Sequence, residues 1–173
     1  MRPRVLLLSM PFGSLARPAL GISLLKANLA AANIRCDLKF LNFLFAEIVG
    51  VEEYDWIVNT VPYTAFAGDW AFTESLYGPR PSSDEQYVER VLRQTWHFSE
   101  SDIQRVGRVA GHVTRFLDYC MQTIPWNKYA LVGFTSTFEQ NIASLALASR
   151  VKSQFPKTKI VFGGANWEGE MGE

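Results

Sequence analysis

The sequence predicts an α/β fold built on a parallel sheet, and three observations predict it. Tyr129-Ala-Leu-Val-Gly-Phe-Thr-Ser-Thr137 is a short apolar run ending in hydroxyls, the pattern of a buried parallel strand. Gln140 to Phe155 switches to helical spacing, with Ile142, Leu145, Ala146, Ser149 and Val151 near one face, until Pro156 interrupts it. Thr158 to Phe162 then makes a second strand that runs into Gly163-Gly164-Ala165-Asn166. Strand, helix and strand of these lengths make one right-handed βαβ unit. Ligands of such units sit at the carboxyl ends of the strands. Hydroxyls at Thr135, Ser136 and Thr137 and a bare backbone at Gly163-Gly164 suit a bound small molecule there.

The chain begins in the same way. Val5 to Met10 is the first and central strand, and Pro18 suits the first turn of a helix. Leu20, Leu24, Leu25 and Leu29 share one face of that helix, and Asn33 ends it. The loop between, Pro11 to Arg17, contains neither a dinucleotide fingerprint nor a phosphate loop. It is either a plain connection or, because it is longer than most such turns, a binding loop. Cys36 to Asn42 alternates as a second strand. Asn42 stands where nucleotide-binding domains place an acid for ribose hydroxyls, which argues against NAD and against an ordinary S-adenosylmethionine site. Strands are thus expected at 4–10, 36–42, 130–136 and 159–163, all parallel, with the first in the middle.

Between the second strand and Tyr129 lie far more residues than a crossover needs. A helical insertion at about 44–125 is expected, lying over the strand ends. Phe43 to Val49 and Tyr54 to Val61 have helical spacing, and Gly68 to Gly78 gathers Trp70, Phe72 and Leu76. Ser82 with Glu85 offers a capping box, and Ser99 with Asp102 offers another. The second opens one long helix striped by Ile103, Val106, Ala110, Val113, Leu117, Cys120 and Ile124 and ended by Pro125.

Composition narrows the function. At 173 residues, 48% of them apolar, the chain suits a single globular domain. Seventeen basic and seventeen acidic side chains cancel, so nucleic acid is not an expected partner. Cys36 and Cys120 have no metal spacing, which suits a reducing cytoplasm, and no stretch reaches the length of a membrane span. His97 and His112 lack ligand partners at useful spacing, so no metal site is expected. Glu168 and Glu170 are read as a tail rather than an acid–base pair. By itself the chain shows binding and not catalysis.

Three stretches together resemble one family. They are Val5-Leu-Leu-Leu-Ser-Met-Pro-Phe12 with Arg17-Pro-Ala-Leu-Gly21; Gly68-Asp-Trp-Ala-Phe72; and Gly133 to Ala148 with Gly163-Gly-Ala-Asn166 and Glu168-Gly-Glu-Met-Gly172. They resemble the amino-terminal, cobalamin-binding-type domain of the radical S-adenosylmethionine enzymes that mature ribosomally made peptides. The resemblance implies a five-stranded flavodoxin-like sheet, its last strand missing here, with cobalamin at the strand ends. It implies that Ser136 or Thr137 bonds the benzimidazole, that Gly163-Gly164, with Ala165 and Asn166, lets the nucleotide tail pass, and that Pro11, Phe12, Gly13, Ser14 and Gly21 border the other side. The loop has no D-x-H-x-x-G, so no imidazole would bind cobalt, and Trp70 is a candidate for packing below it. Trp167 departs from the small or sulfur-bearing residue expected at its position.

The cysteine triad of an iron–sulfur cluster is absent. The cluster and S-adenosylmethionine are therefore expected of a downstream radical domain, and the precursor peptide is a partner expected through the parent enzyme, of which this chain would be a fragment or excised domain. Three readings stay open. The domain holds cobalamin for a peptide C-methyltransferase, or has lost it and serves as a docking or peptide-recognition domain, or is a generic flavodoxin-like module for another small ligand.

Overall fold

The computed structural model describes residues 4–167. Four parallel strands form one sheet among them: β1 (Arg4–Ser9), β2 (Arg35–Phe40), β3 (Leu131–Thr135) and β4 (Lys159–Gly163), in the order β2-β1-β3-β4. The first and third strands are neighbours, with Val5 opposite Leu131 and Ser9 opposite Thr135. This is the order of the first four strands of a flavodoxin-like sheet. The central strand is covered on both faces, and Leu6, Leu7 and Leu8 are all buried. β4 instead alternates exposed and half-buried residues, as an edge strand covered on one face does.

Two helices cross the sheet on opposite sides. α1 (Leu20–Ala31) joins β1 to β2, and α9 (Asn141–Gln154) joins β3 to β4. The two crossovers run in opposite directions from the centre, so right-handedness puts their helices on opposite faces. Burial divides in the same way. Leu6, Leu8, Met10, Val132 and Phe134 share one core with α9 and the insertion, whereas Leu7 and Ile22 lie outside it, under α1.

The insertion is helical from α2 (Leu41–Val49) and α3 (Val51–Asn59) through the short α4 (Ala67–Ala71), α5 (Thr73–Tyr77) and α6 (Pro81–Gln86) to α7 (Glu100–Ala110) and α8 (Val113–Thr123). A π-helical segment, Tyr87–Thr95, follows α6. Phe45, Tyr54, Phe72 and Phe116 are fully buried and pack the insertion onto the sheet. No helix among the described residues is long and apolar enough to cross a membrane.

Several expectations are corrected. β2 stops at Phe40 and α2 begins at once, because Leu41, Phe45 and Ala46 form a buried helical face. Asn42 is therefore not at a strand end. The long helix divides at Gly111-His112, where two glycines, Gly107 and Gly111, weaken it and the His112 N–H turns back to the Val109 carbonyl. The Ser99–Asp102 capping box forms, but the Ser82–Glu85 box does not, since the helix already starts at Pro81. On α9 the buried positions are Ala143, Ser144, Ala146, Leu147, Ala148 and Val151, while Ser149 is exposed.

The largest correction concerns α1. Ile22 is its one buried residue, and Leu20, Leu24 and Leu25 are 62%, 56% and 52% exposed. The leucine stripe faces away from the sheet. Replacing Leu24 and Leu25 together by glutamine should therefore change stability by no more than about 0.5 kcal/mol. Ile22→Ala should cost about 2–4 kcal/mol. Thermal melts that rank the two the other way round would place the helix on its opposite face.

Candidate functional site

The carboxyl ends of β1 and β3 are closed by their own loops. Phe12 turns down into the core, 4% exposed, with its ring centroid 5.6 Å from Phe45, 5.3 Å from Tyr54 and 6.2 Å from Phe72. It packs the insertion and walls no slot. Gly13 is held by its carbonyl, which accepts from the Tyr54 hydroxyl at 2.7 Å and the Asn42 amide at 3.5 Å. Asn42 also bonds the Ser14 carbonyl, so the residue sought at a ribose site is a brace for the β1–α1 loop. Ser14 accepts from the backbone of Ala16 and Arg17, folding its own turn. Pro11 is buried, and Gly21 is exposed on α1 with nothing near it.

The β3 side meets this loop directly. Gln140 is buried and spans the gap, donating to the Met10 carbonyl at 2.5 Å while its oxygen accepts from Thr137 N–H and hydroxyl at 3.1 and 3.0 Å. A side chain at Gly13 would come within 2.9 Å of the Gln140 amide. The Ser136 hydroxyl is buried and donates to Asn141 Oδ1 at 2.5 Å, to which Asn166 also donates at 3.2 Å. Gly164 has φ +112° and an added Cβ would run into the Ser136 carbonyl, so its bareness serves the chain's own turn. Ala165 is exposed. Trp167 stacks on Phe162 at 4.8 Å. Glu168 and Glu170 lie outside the described residues.

Trp70 is half-buried within the insertion. Its indole stacks flat on Tyr87 at 5.0 Å and donates to Asp84 at 3.1 Å, both partners within the insertion. An exposed aromatic pair, Tyr63 and Phe138, 58% and 55% exposed, lies 5.2 Å apart.

Two acids that sequence reasoning passed over fasten the insertion to the sheet. Asp69, at the start of α4, accepts from the Ile142 N–H at 3.0 Å and from Asn141, capping α9. Glu139, just before α9, accepts from the Gly68 N–H at 3.2 Å and from Ala67, capping α4. Each helix thus carries the other's cap, since a helix amino end presents unpaired N–H groups and favours a carboxylate. Burial raises the pKa of both acids, and it pushes Glu139 up to about 7. Signals existed in the sequence: both acids stand in otherwise uncharged runs, Ala65 to Phe72 and Ala130 to Ser149.

The other face of the sheet is open toward β4. By register and alternation, Ser9, Thr135 and Gly163 form one row across β1, β3 and β4 on the α1 side. Leu7, Gly133 and Val161 form the row before it, with Val161 48% exposed. α1 packs on β1 and β2, leaving β3 and β4 uncovered on this face. A Cβ at Gly163 would meet nothing within 4 Å, whereas one at Gly133 would press the Leu7 side chain at 2.7 Å. Ser9 is only 3% exposed and its hydroxyl lies under Gly13 of the β1–α1 loop, so it is closed to a ligand. Thr135 is half-buried and Gly163 exposed, and these two stand on the uncovered face beside Val161. Of the residues expected to bind a ligand, the fold brings Thr135 and Gly163 together there.

Glu139 gives a test of the clasp. Its pKa lies near 7 rather than 4.5, so the folded chain binds a proton that the unfolded chain releases between those values. The sign follows: Glu139 favours the folded state most at and below the lower value, and that contribution is lost as pH rises through about 7. Stability should fall by roughly 2–3 kcal/mol from about pH 5 to about pH 8, and Glu139→Gln should flatten the profile. Equal slopes in both proteins would show a hydrated, exposed carboxylate. No family model, no curated protein and no solved structure matches this chain, so the reading of the site rests on its own residues.

Proposed function

We propose that the chain is a cobalamin-binding-type domain of a radical S-adenosylmethionine enzyme that methylates a ribosomally made peptide. The observation that supports this reading is the uncovered side of β3 and β4 beside α1, where Thr135 and Gly163 stand together next to the exposed Val161. The crevice between the β1 and β3 loops does not fit a nucleotide tail, because Gln140 and Phe12 fill it. The uncovered side of β3 and β4 is the place we assign to it. Thr135 would offer a hydroxyl to the benzimidazole, Gly163 would let it lie against the backbone, and Val161 would floor it. Cobalamin, when bound, would carry the methyl group. The chain contributes neither a histidine in the loop at Pro11–Gly21 nor three cysteines for a cluster, so the radical step belongs to another domain.

A second reading keeps the fold and drops the cofactor. The closed crevice and the exposed Leu20, Leu24 and Leu25 favour a docking domain that braces a neighbouring domain of the same family of enzymes.

One experiment separates them. The purified chain is mixed with hydroxocobalamin, passed through gel filtration and examined by visible spectroscopy, beside Gly163→Val and Gly164→Ala. The cobalamin reading expects the parent to retain the pigment and Gly163→Val to lose at least about tenfold in affinity with an unchanged melt. Gly164→Ala should lower the melt itself, since φ is positive and the space is taken. A parent chain that elutes colourless leaves the docking reading.

A further inference from the structure

A second cleft lies at the opposite end of the sheet. It occupies about 1290 Å³ at the amino ends of β1, β3 and β4, between the β-strand starts and the last turn of α9. Arg4, Arg35, Lys128 and Lys157 line it, and Phe155 and Pro156 supply an apolar wall. None of these four cations makes an ion pair among the described residues, although the chain's cations and anions balance overall. The Nε of Arg4 is buried and has no hydrogen-bond partner there. Asp37 is the acid beside them, and it already accepts from the Tyr129 hydroxyl at 3.0 Å. Four cations line this cleft, and among the described residues no carboxylate pairs with them. A buried guanidinium nitrogen without a partner is costly and is satisfied best by a carboxylate or phosphate.

We propose that this cleft binds an acidic segment of another polypeptide, with its carboxylates on Arg4, Arg35, Lys128 and Lys157 and an apolar side chain against Phe155 and Pro156. The apolar wall favours a peptide over a nucleic acid, whose phosphates need a longer basic track and whose bases need exposed stacking faces. The site stands apart from Thr135 and Gly163 and does not depend on cobalamin binding.

The test measures fluorescence anisotropy of a labelled peptide of alternating glutamate and leucine, with a glutamine–leucine peptide as control. The parent chain should bind the acidic peptide and not the neutral one, more weakly as salt is raised. Lys128→Gln with Lys157→Gln, both on the surface, should weaken binding at least about fivefold, and Arg4→Gln with Arg35→Gln more. Circular dichroism melts keep folding separate from binding. Hydroxocobalamin should leave the affinity unchanged, so the two sites stand or fall independently. Absence of binding, equal binding of the neutral peptide, or equal affinity in the lysine variant overturns the proposal. So does displacement of the peptide by oligothymidylate at equal or lower concentration, which would make the cleft a polyphosphate site.

Discussion

The exchange of caps between Asp69 and Glu139 is the constraint on which the rest depends. α4 is five residues long and could not hold itself in water. Its amino end is satisfied by an acid from the loop between β3 and α9, and its own acid satisfies α9. The Glu139 bond is buried and the Asp69 bond partly so, and the loss of either would leave N–H groups and a carboxylate without partners. The pair fixes where the insertion sits, and Gly68 shows how closely: a Cβ there would press Phe12 at 2.5 Å and Glu139 at 3.0 Å. Phe12 and Gln140 are in turn locked beneath.

That closure decides which side of the sheet can receive a ligand. With the insertion clasped over one face and Gln140 bridging β1 to β3, the uncovered surface is the α1 side of β3 and β4. Val161 is exposed on that surface, whereas the exposed leucines of α1 face away from the sheet. Of the expected binding residues, Ser136 and Gly164 are taken up by the chain's own contacts, and Thr135 and Gly163 stay accessible for the proposed cofactor.

Much of the fold was legible because its signals are local. Strand runs such as Val5–Leu8, the βαβ pattern around Asn141–Gln154 and the Ser99–Asp102 box each depend on residues close in sequence. What was missed depends on direction and distance. Nothing in the spacing of Leu20 and Leu24 says which way α1 turns, since Ile22 lies across the helix from both and both sides are apolar. Ser136 and Thr135 look alike in sequence, yet alternation sends one into the core and the other to the open face. Gly164 offers room for a ligand by sequence, but the space beside it belongs to Ser136, one strand away. Asp69 and Glu139 are 70 residues apart, and their partnership exists only after folding.

Amide hydrogen exchange with and without hydroxocobalamin tests the central claim most directly, that the ligand face is the uncovered side of β3 and β4. The account predicts added protection in β3, β4 and α1, with Ala67–Ala71 and the loop around Gln140 unchanged. Protection gained at Gln140 and Ala67–Ala71 instead would mean that the clasp opens to admit the ligand, and would contradict it.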